Sequence, residues 1–187
     1  MRETDLGQES KSDRKIKRGF LRVLARKHFD DMTIVEVVKE AQVSRSTFYL
    51  RFENLANVYD TLVADMLSNA TPIDMQVDCT ECKSVAAQRS TKPFCELVRG
   101  SSEYAPLVKE DRFLASVIRL MDSIKDGSMV HEGLKRGLTH QQAYALHVFQ
   151  MSGCFAASVM TGTDDAEWPK VKDTIDTFIT GGINSLC

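Results

Sequence analysis

The sequence predicts an all-α protein, with a small N-terminal bundle of three or four short helices and a larger helical region behind it. Three observations carry this expectation. Apolar residues recur at three- and four-residue spacing through most of the 187 residues. Helix-start signals, namely Thr33 with Glu36, Ser44, Asn54 and Pro169, stand directly before the periodic stretches. Glycine-rich turns are few, the chain holding 10 Gly and 4 Pro. At 43% hydrophobic residues the chain can bury a real core and is no disordered tail.

Taken in order, residues 14 to 29 place Ile16, Phe20, Leu21, Leu24 and Phe29 on one side of a helix, with Arg14, Lys15, Lys17, Arg18, Arg22, Arg26 and Lys27 around the rest. Thr33 and Glu36 form a capping box: hydroxyl and carboxylate each satisfy a free amide, so a helix starts near Ile34. Ile34, Val37, Val38 and Ala41 give that helix its buried stripe. Gln42 and Val43 make a tight turn in which Gln42 is expected to take a left-handed conformation, at a cost of up to roughly 1–2 kcal/mol. Ser44 caps the next helix, and Phe48 and Phe52, four apart, anchor it inward. Asn54 caps a further helix carrying Leu55, Val58, Tyr59, Leu62, Val63, Met66 and Leu67.

What remains outward on the helix after Ser44 is a polar set: Arg45, Ser46, Thr47, Tyr49 and Arg51. Two short helices joined by a turn, the second presenting donors, follow the plan of a DNA-reading helix-turn-helix. The net charge of −2 argues against nucleic acid at first, but its distribution does not. Residues 11 to 51 hold eleven Lys/Arg against five Asp/Glu, a balance of +6, while residues 70 to 187 hold twelve against fifteen, a balance of −3. The basic character is confined to the reading segment.

This stretch resembles the DNA-binding domain of TetR-type transcriptional repressors. The resemblance covers about residues 12 to 69 and rests on Thr33, the run Ala41-Gln42-Val43-Ser44-Arg45-Ser46-Thr47-Phe48-Tyr49-Leu50-Arg51-Phe52, and Asn54. Two positions depart from the family pattern: Gln42 replaces a turn glycine, and Leu55 replaces a lysine that contacts phosphate. The resemblance implies a DNA-binding set of Thr33, Ser44, Arg45, Ser46, Thr47, Tyr49, Leu50 and Arg51. Thr47 and Tyr49 would hold phosphates, Thr33 would do so through its backbone, and Arg45, Ser46 and Leu50 would face bases. The missing lysine shifts backbone binding toward Arg45, Arg51 or the first helix.

The expected organisation is a mobile arm over residues 1–12, a helix-turn-helix DNA-binding domain with its connecting helix over 13–69, and a helical ligand-binding and dimerisation domain over 70–187. Between Asn69 and Thr91, Pro72 and polar residues interrupt the periodicity. Helical spacing resumes over 92–108, broken at Gly100-Ser101-Ser102, then over 110–126, with a short element near 129–136. Residues 140–161 are apolar nearly all round, and 167–186 carry Val171, Ile175, Phe178, Ile179, Ile183 and Leu186 as a packing seam. The resemblance implies that these last two helices pair with their twins. The expected homodimer interface is Phe155, Val159, Ile175, Phe178, Ile179 and Ile183. Two readers on a two-fold axis would meet a palindromic operator in double-stranded DNA. A small-molecule inducer is expected in a pocket lined by Phe94, Tyr104, Phe113, Met121 and Phe149, and its binding would release the repressor.

Five cysteines raise a second possibility, a thiol or metal sensor on the same frame through Cys79 and Cys82, whose spacing suits a zinc corner or a dithiol. A closed zinc site needs four ligands and no second such pair occurs, so no metal site is assigned. His140, His147 and Cys154 repeat every seven residues, about 10.5 Å apart along a helix, which is too far for one ion. A thiol-dependent enzyme using His131, His140 or His147 as base would need an oxyanion site, for which no local signature exists. No phosphate loop is present and no cofactor is expected. The first dozen residues lack the apolar core of a secretory signal, and no run of about eighteen apolar residues occurs, so the expected location is cytoplasmic, with no membrane partner.

Overall fold

A computed structural model describes residues 9–68, 70–71, 92–122, 128–159 and 164–186. Among these the architecture is helical. In chain order the elements are α1 Lys11–Leu24, a 3-10 turn Phe29–Asp31, α2 Ile34–Ala41, α3 Arg45–Arg51 and α4 Leu55–Ser68. After the two-residue segments β1 Ala70–Thr71 and β2 Lys92–Pro93 come α5 Phe94–Gly100, α6 Ala105–Val108, α7 Phe113–Asp122, α8 Ser128–Lys135, α9 His140–Val159 and α10 Trp168–Asn184. The β segments pair in parallel, Ala70 with Lys92 and Thr71 with Pro93. The expected boundary between domains lies almost entirely outside the described residues.

Local chemistry sets the helix ends. Ser10 and Asp13 form a capping box at the start of α1, and Thr33 and Glu36 form a second at the start of α2. α2 stops where Gln42 takes the left-handed conformation, φ 54° and ψ 48°, while the Val43 amide donates to the Val38 carbonyl at 3.1 Å. Ser44 accepts from the Thr47 amide at 3.0 Å and Asn54 from the Asn57 amide at 2.8 Å, capping α3 and α4. α1 ends earlier than its periodicity suggests. Phe29 therefore belongs to the 3-10 turn, still packed against the core next to Phe20 and Tyr59.

The first four helices close around Ile16, Phe20, Val37, Phe48, Val58, Tyr59 and Val63, all fully buried. α1 and α2 approach closely at Gly19, where a Cβ would stand 2.8 Å from that of Ala41. This contact holds α2 and the following turn against the basic helix. The core continues without a break through Phe94, Val98, Leu107, Phe113 and Val117 to Met151 of α9. Two polar links reinforce the junction: the buried Tyr59 hydroxyl donates to the Leu107 carbonyl at 2.9 Å, and the Phe29 amide donates to Glu110 at 3.2 Å. Burial pushes the Tyr59 phenol well above its ordinary range. The Arg112 guanidinium lies 3.8 Å from the Phe29 ring centroid and 5.0 Å from that of Tyr59, covering both.

α10 is held differently. Arg99 stacks over Trp168 at 4.5 Å and donates to the Ser158 carbonyl at 3.0 Å, and Arg136 donates to the Ile183 carbonyl at 3.1 Å. Among the described residues, its apolar side forms a small separate cluster, Ile183 with Ile179.

Candidate nucleic-acid interface

The site is built on α3, a helix of two turns whose inward side is fixed by Phe48 and Phe52, both buried. Because these two take the packing, every other side chain of α3 lies wholly or partly at the surface. Tyr49 is 58% exposed and Leu50 80% exposed, each far from the state that an apolar or aromatic side chain reaches in a core. Tyr49 keeps edge contact with Phe48, ring centroids 5.6 Å apart, and its hydroxyl has no partner among the described residues. The Arg45 guanidinium is likewise exposed and unpaired among them.

Four residues of the expected set are less available than their residue types suggest. Ser44 Oγ lies 2.8 Å from both Ser46 Oγ and Thr47 Oγ1, so the three hydroxyls form a local network at the start of α3. Thr33 gives both its amide and its hydroxyl to Glu36, at 2.9 and 2.8 Å. Hydrogen bonds from Lys27 and then Thr33 hold the Glu36 carboxyl at about 2, so this helix start carries a negative charge of its own. A phosphate approaching Thr33 would meet that carboxylate.

Arg51 departs most from the sequence expectation. It forms a bidentate pair with Asp13 of α1, Nε to Oδ1 at 2.6 Å and a terminal nitrogen to Oδ2 at 2.5 Å. Arg51 holds the Asp13 carboxyl below the usual carboxylate range. The Arg51 charge is thus spent on joining α3 to α1. The same Asp13 also closes the capping box of α1, so one carboxylate orders two helices. Nothing in the local sequence marks this partner, which lies 38 positions away.

The basic first helix is also partly neutralised. Lys17 pairs with Glu9 and Asp65 at 2.7 and 2.6 Å, Arg22 and Arg26 both reach Glu40 at 2.7 Å, and Lys27 reaches Glu36 at 2.7 Å. Lys11, Lys15, Arg18, Lys39 and Arg45 remain exposed without a side-chain partner among the described residues. The count of eleven basic residues therefore overstates the free positive charge of the segment. Leu55, where a phosphate-binding lysine was expected, is half-buried against the core.

Of the residues expected to line an inducer pocket, the described ones differ in burial. Phe94 and Phe113 are buried core, Tyr104 is half-buried beside them, and Phe149 is 69% exposed on α9. The side chain of Met121 lies outside the described residues. Of the expected interface residues, Phe155 turns inward and stacks on Phe113, ring centroids 5.4 Å apart. Ile175, Phe178, Ile179 and Ile183 instead line an open apolar groove of about 500 Å³ between α9 and α10, with Leu146 and Phe149 opposite. Phe178 is 72% exposed there, and Val159 stands at the surface of α9.

Cys79 and Cys82 lie outside the described residues. Cys95 and Cys154 are half-buried free thiols, and burial pushes Cys154 up to about 11, which leaves it poorly suited to act as a thiolate at neutral pH. Among the described residues no group of three metal-ligating side chains occurs, and no helix is long and apolar enough to cross a membrane. No protein-family model, curated protein or solved structure matches this chain.

Proposed function

We propose that the chain is a DNA-binding transcriptional regulator of the TetR type, a repressor that grips a palindromic operator as a homodimer and is released by a small molecule. The observation that carries this reading is the unit Thr33–Phe52: two capped helices, a left-handed turn residue between them, and a second helix anchored by two phenylalanines with its remaining side chains outward. Such a rigid, slim helix presenting unpaired donors suits the major groove. The unpaired lysines and arginines of α1 and α2 supply sequence-independent attraction to phosphates. Arg45 is the direct reader, with Thr47 and Tyr49 positioning the backbone. Arg51 acts through its pair with Asp13, keeping α3 in place on α1.

The open apolar groove between α9 and α10 supports self-association, because exposed phenylalanines at two facing positions favour burial against a second copy. In that arrangement residues 13–69 read DNA and residues 70–187 bind ligand and dimerise. An inducer would act by favouring a conformer with wrongly spaced readers, within the limit of its differential affinity for the two states. Arg45→Ala tests the reading. In a titration against operator variants it should relax discrimination at one base pair by about 1–3 kcal/mol. Unchanged discrimination would remove Arg45 from the base-reading set.

A further inference from the structure

Around α3, at about 100° per residue, Leu50 points about 180° away from the mean direction of Phe48 and Phe52. It occupies the apex of the helix, and its 80% exposure agrees with that position. Ser46, one turn earlier on the same side, has its hydroxyl engaged with Ser44 at 2.8 Å. The side chain that would travel furthest into a major groove is therefore apolar. Nothing in the packing requires a leucine there, since Phe48 and Phe52 already close the core. Single exposed aliphatic side chains are common on protein surfaces, but this one stands at the apex of the helix proposed to enter the groove, where it would meet a base edge first.

A major groove offers few apolar groups. The methyl at C5 of thymine is the one that natural bases place there, and the same position carries the methyl of 5-methylcytosine. α3, with the sequence Arg-Ser-Thr-Phe-Tyr-Leu-Arg, contains no carboxylate to accept from a cytosine amino group and no amide to bracket an adenine. We infer that Leu50 reads the C5 methyl of a pyrimidine, so that the operator carries a 5-methylpyrimidine opposite Leu50 and binding responds to the methylation of cytosine at that position. The inference rests on the proposed DNA-binding reading and extends it to a defined chemical group.

The test uses the full chain and an operator selected from random duplex DNA. Each thymine in turn is replaced by deoxyuridine, which removes only the methyl. One position per half-site should lose affinity by about fourfold, the value of a single buried methyl. Placing 5-methylcytosine there should bind about fourfold more tightly than cytosine by the same contact. Leu50→Ala should remove both differences, and because Leu50 is 80% exposed, the helical content of the variant should match that of the parent. If deoxyuridine is tolerated everywhere while the operator is still bound, or if Leu50→Ala keeps both preferences, the inference is overturned and the DNA-binding reading stands. If the chain binds no DNA, both fall together.

Discussion

In the N-terminal bundle the large apolar side chains of α1 and α4 are buried or packed against the core, whereas α9 and α10 leave Phe149 and Phe178 largely in water. Both regions are helical, though α1 is strongly amphipathic whereas α9 is apolar on most of its sides. The difference lies in what covers the apolar side. α1 through α4 cover one another, helped by the close approach at Gly19, and α7 closes the remaining side. α10 is tethered mainly through Arg99 on Trp168 and Arg136 on its last turn, and its seam faces a groove. A closed core makes a region self-sufficient, while an open apolar seam leaves surface in water, which the proposed self-association would cover.

Substitution at Phe48 is the strongest way to sharpen this contrast. Phe48→Ala should lower unfolding free energy by about 3–5 kcal/mol in a urea melt, because a fully buried ring leaves a cavity among fixed neighbours. A loss below about 1 kcal/mol would mean that the bundle is not the rigid unit described. The matching change at the other end is Phe178→Glu. Sedimentation of the full chain should show the proposed dimer weakened by roughly thirtyfold or more, about 2 kcal/mol, with helical content unchanged. Global unfolding instead would place Phe178 in the chain's own core and break the comparison. A smaller effect is expected at the turn: Gln42→Gly should stabilise the chain by about 1 kcal/mol, since glycine takes the left-handed conformation without a Cβ penalty. Destabilisation would show that the Gln42 side chain contributes more than its strain costs.

Features fixed within a few residues were readable in advance. Thr33 with Glu36, the left-handed Gln42, Ser44, Asn54 and the Phe48–Phe52 pair follow from capping, turn and spacing rules that operate over one helical turn. The breaks after Gly100 and before Pro169 follow for the same reason. Contacts between distant positions were not readable. The Asp13–Arg51 pair changes the meaning of a residue that otherwise looks free, and ion pairs at Glu36 and Glu40 absorb charges that a residue count treats as available. Helical periodicity told that Phe155 and Phe149 face an apolar neighbour without telling which one: Phe155 found Phe113 and Phe149 found the groove.

Selection of binding sites from random double-stranded DNA with the purified full chain would decide whether a symmetric dimer presents α3 twice to duplex DNA, as proposed. Enrichment of an inverted repeat whose half-sites are centred about one helical turn apart, roughly 34–36 Å, is expected. Enrichment of no sequence, or of a single site without two-fold symmetry, would contradict it.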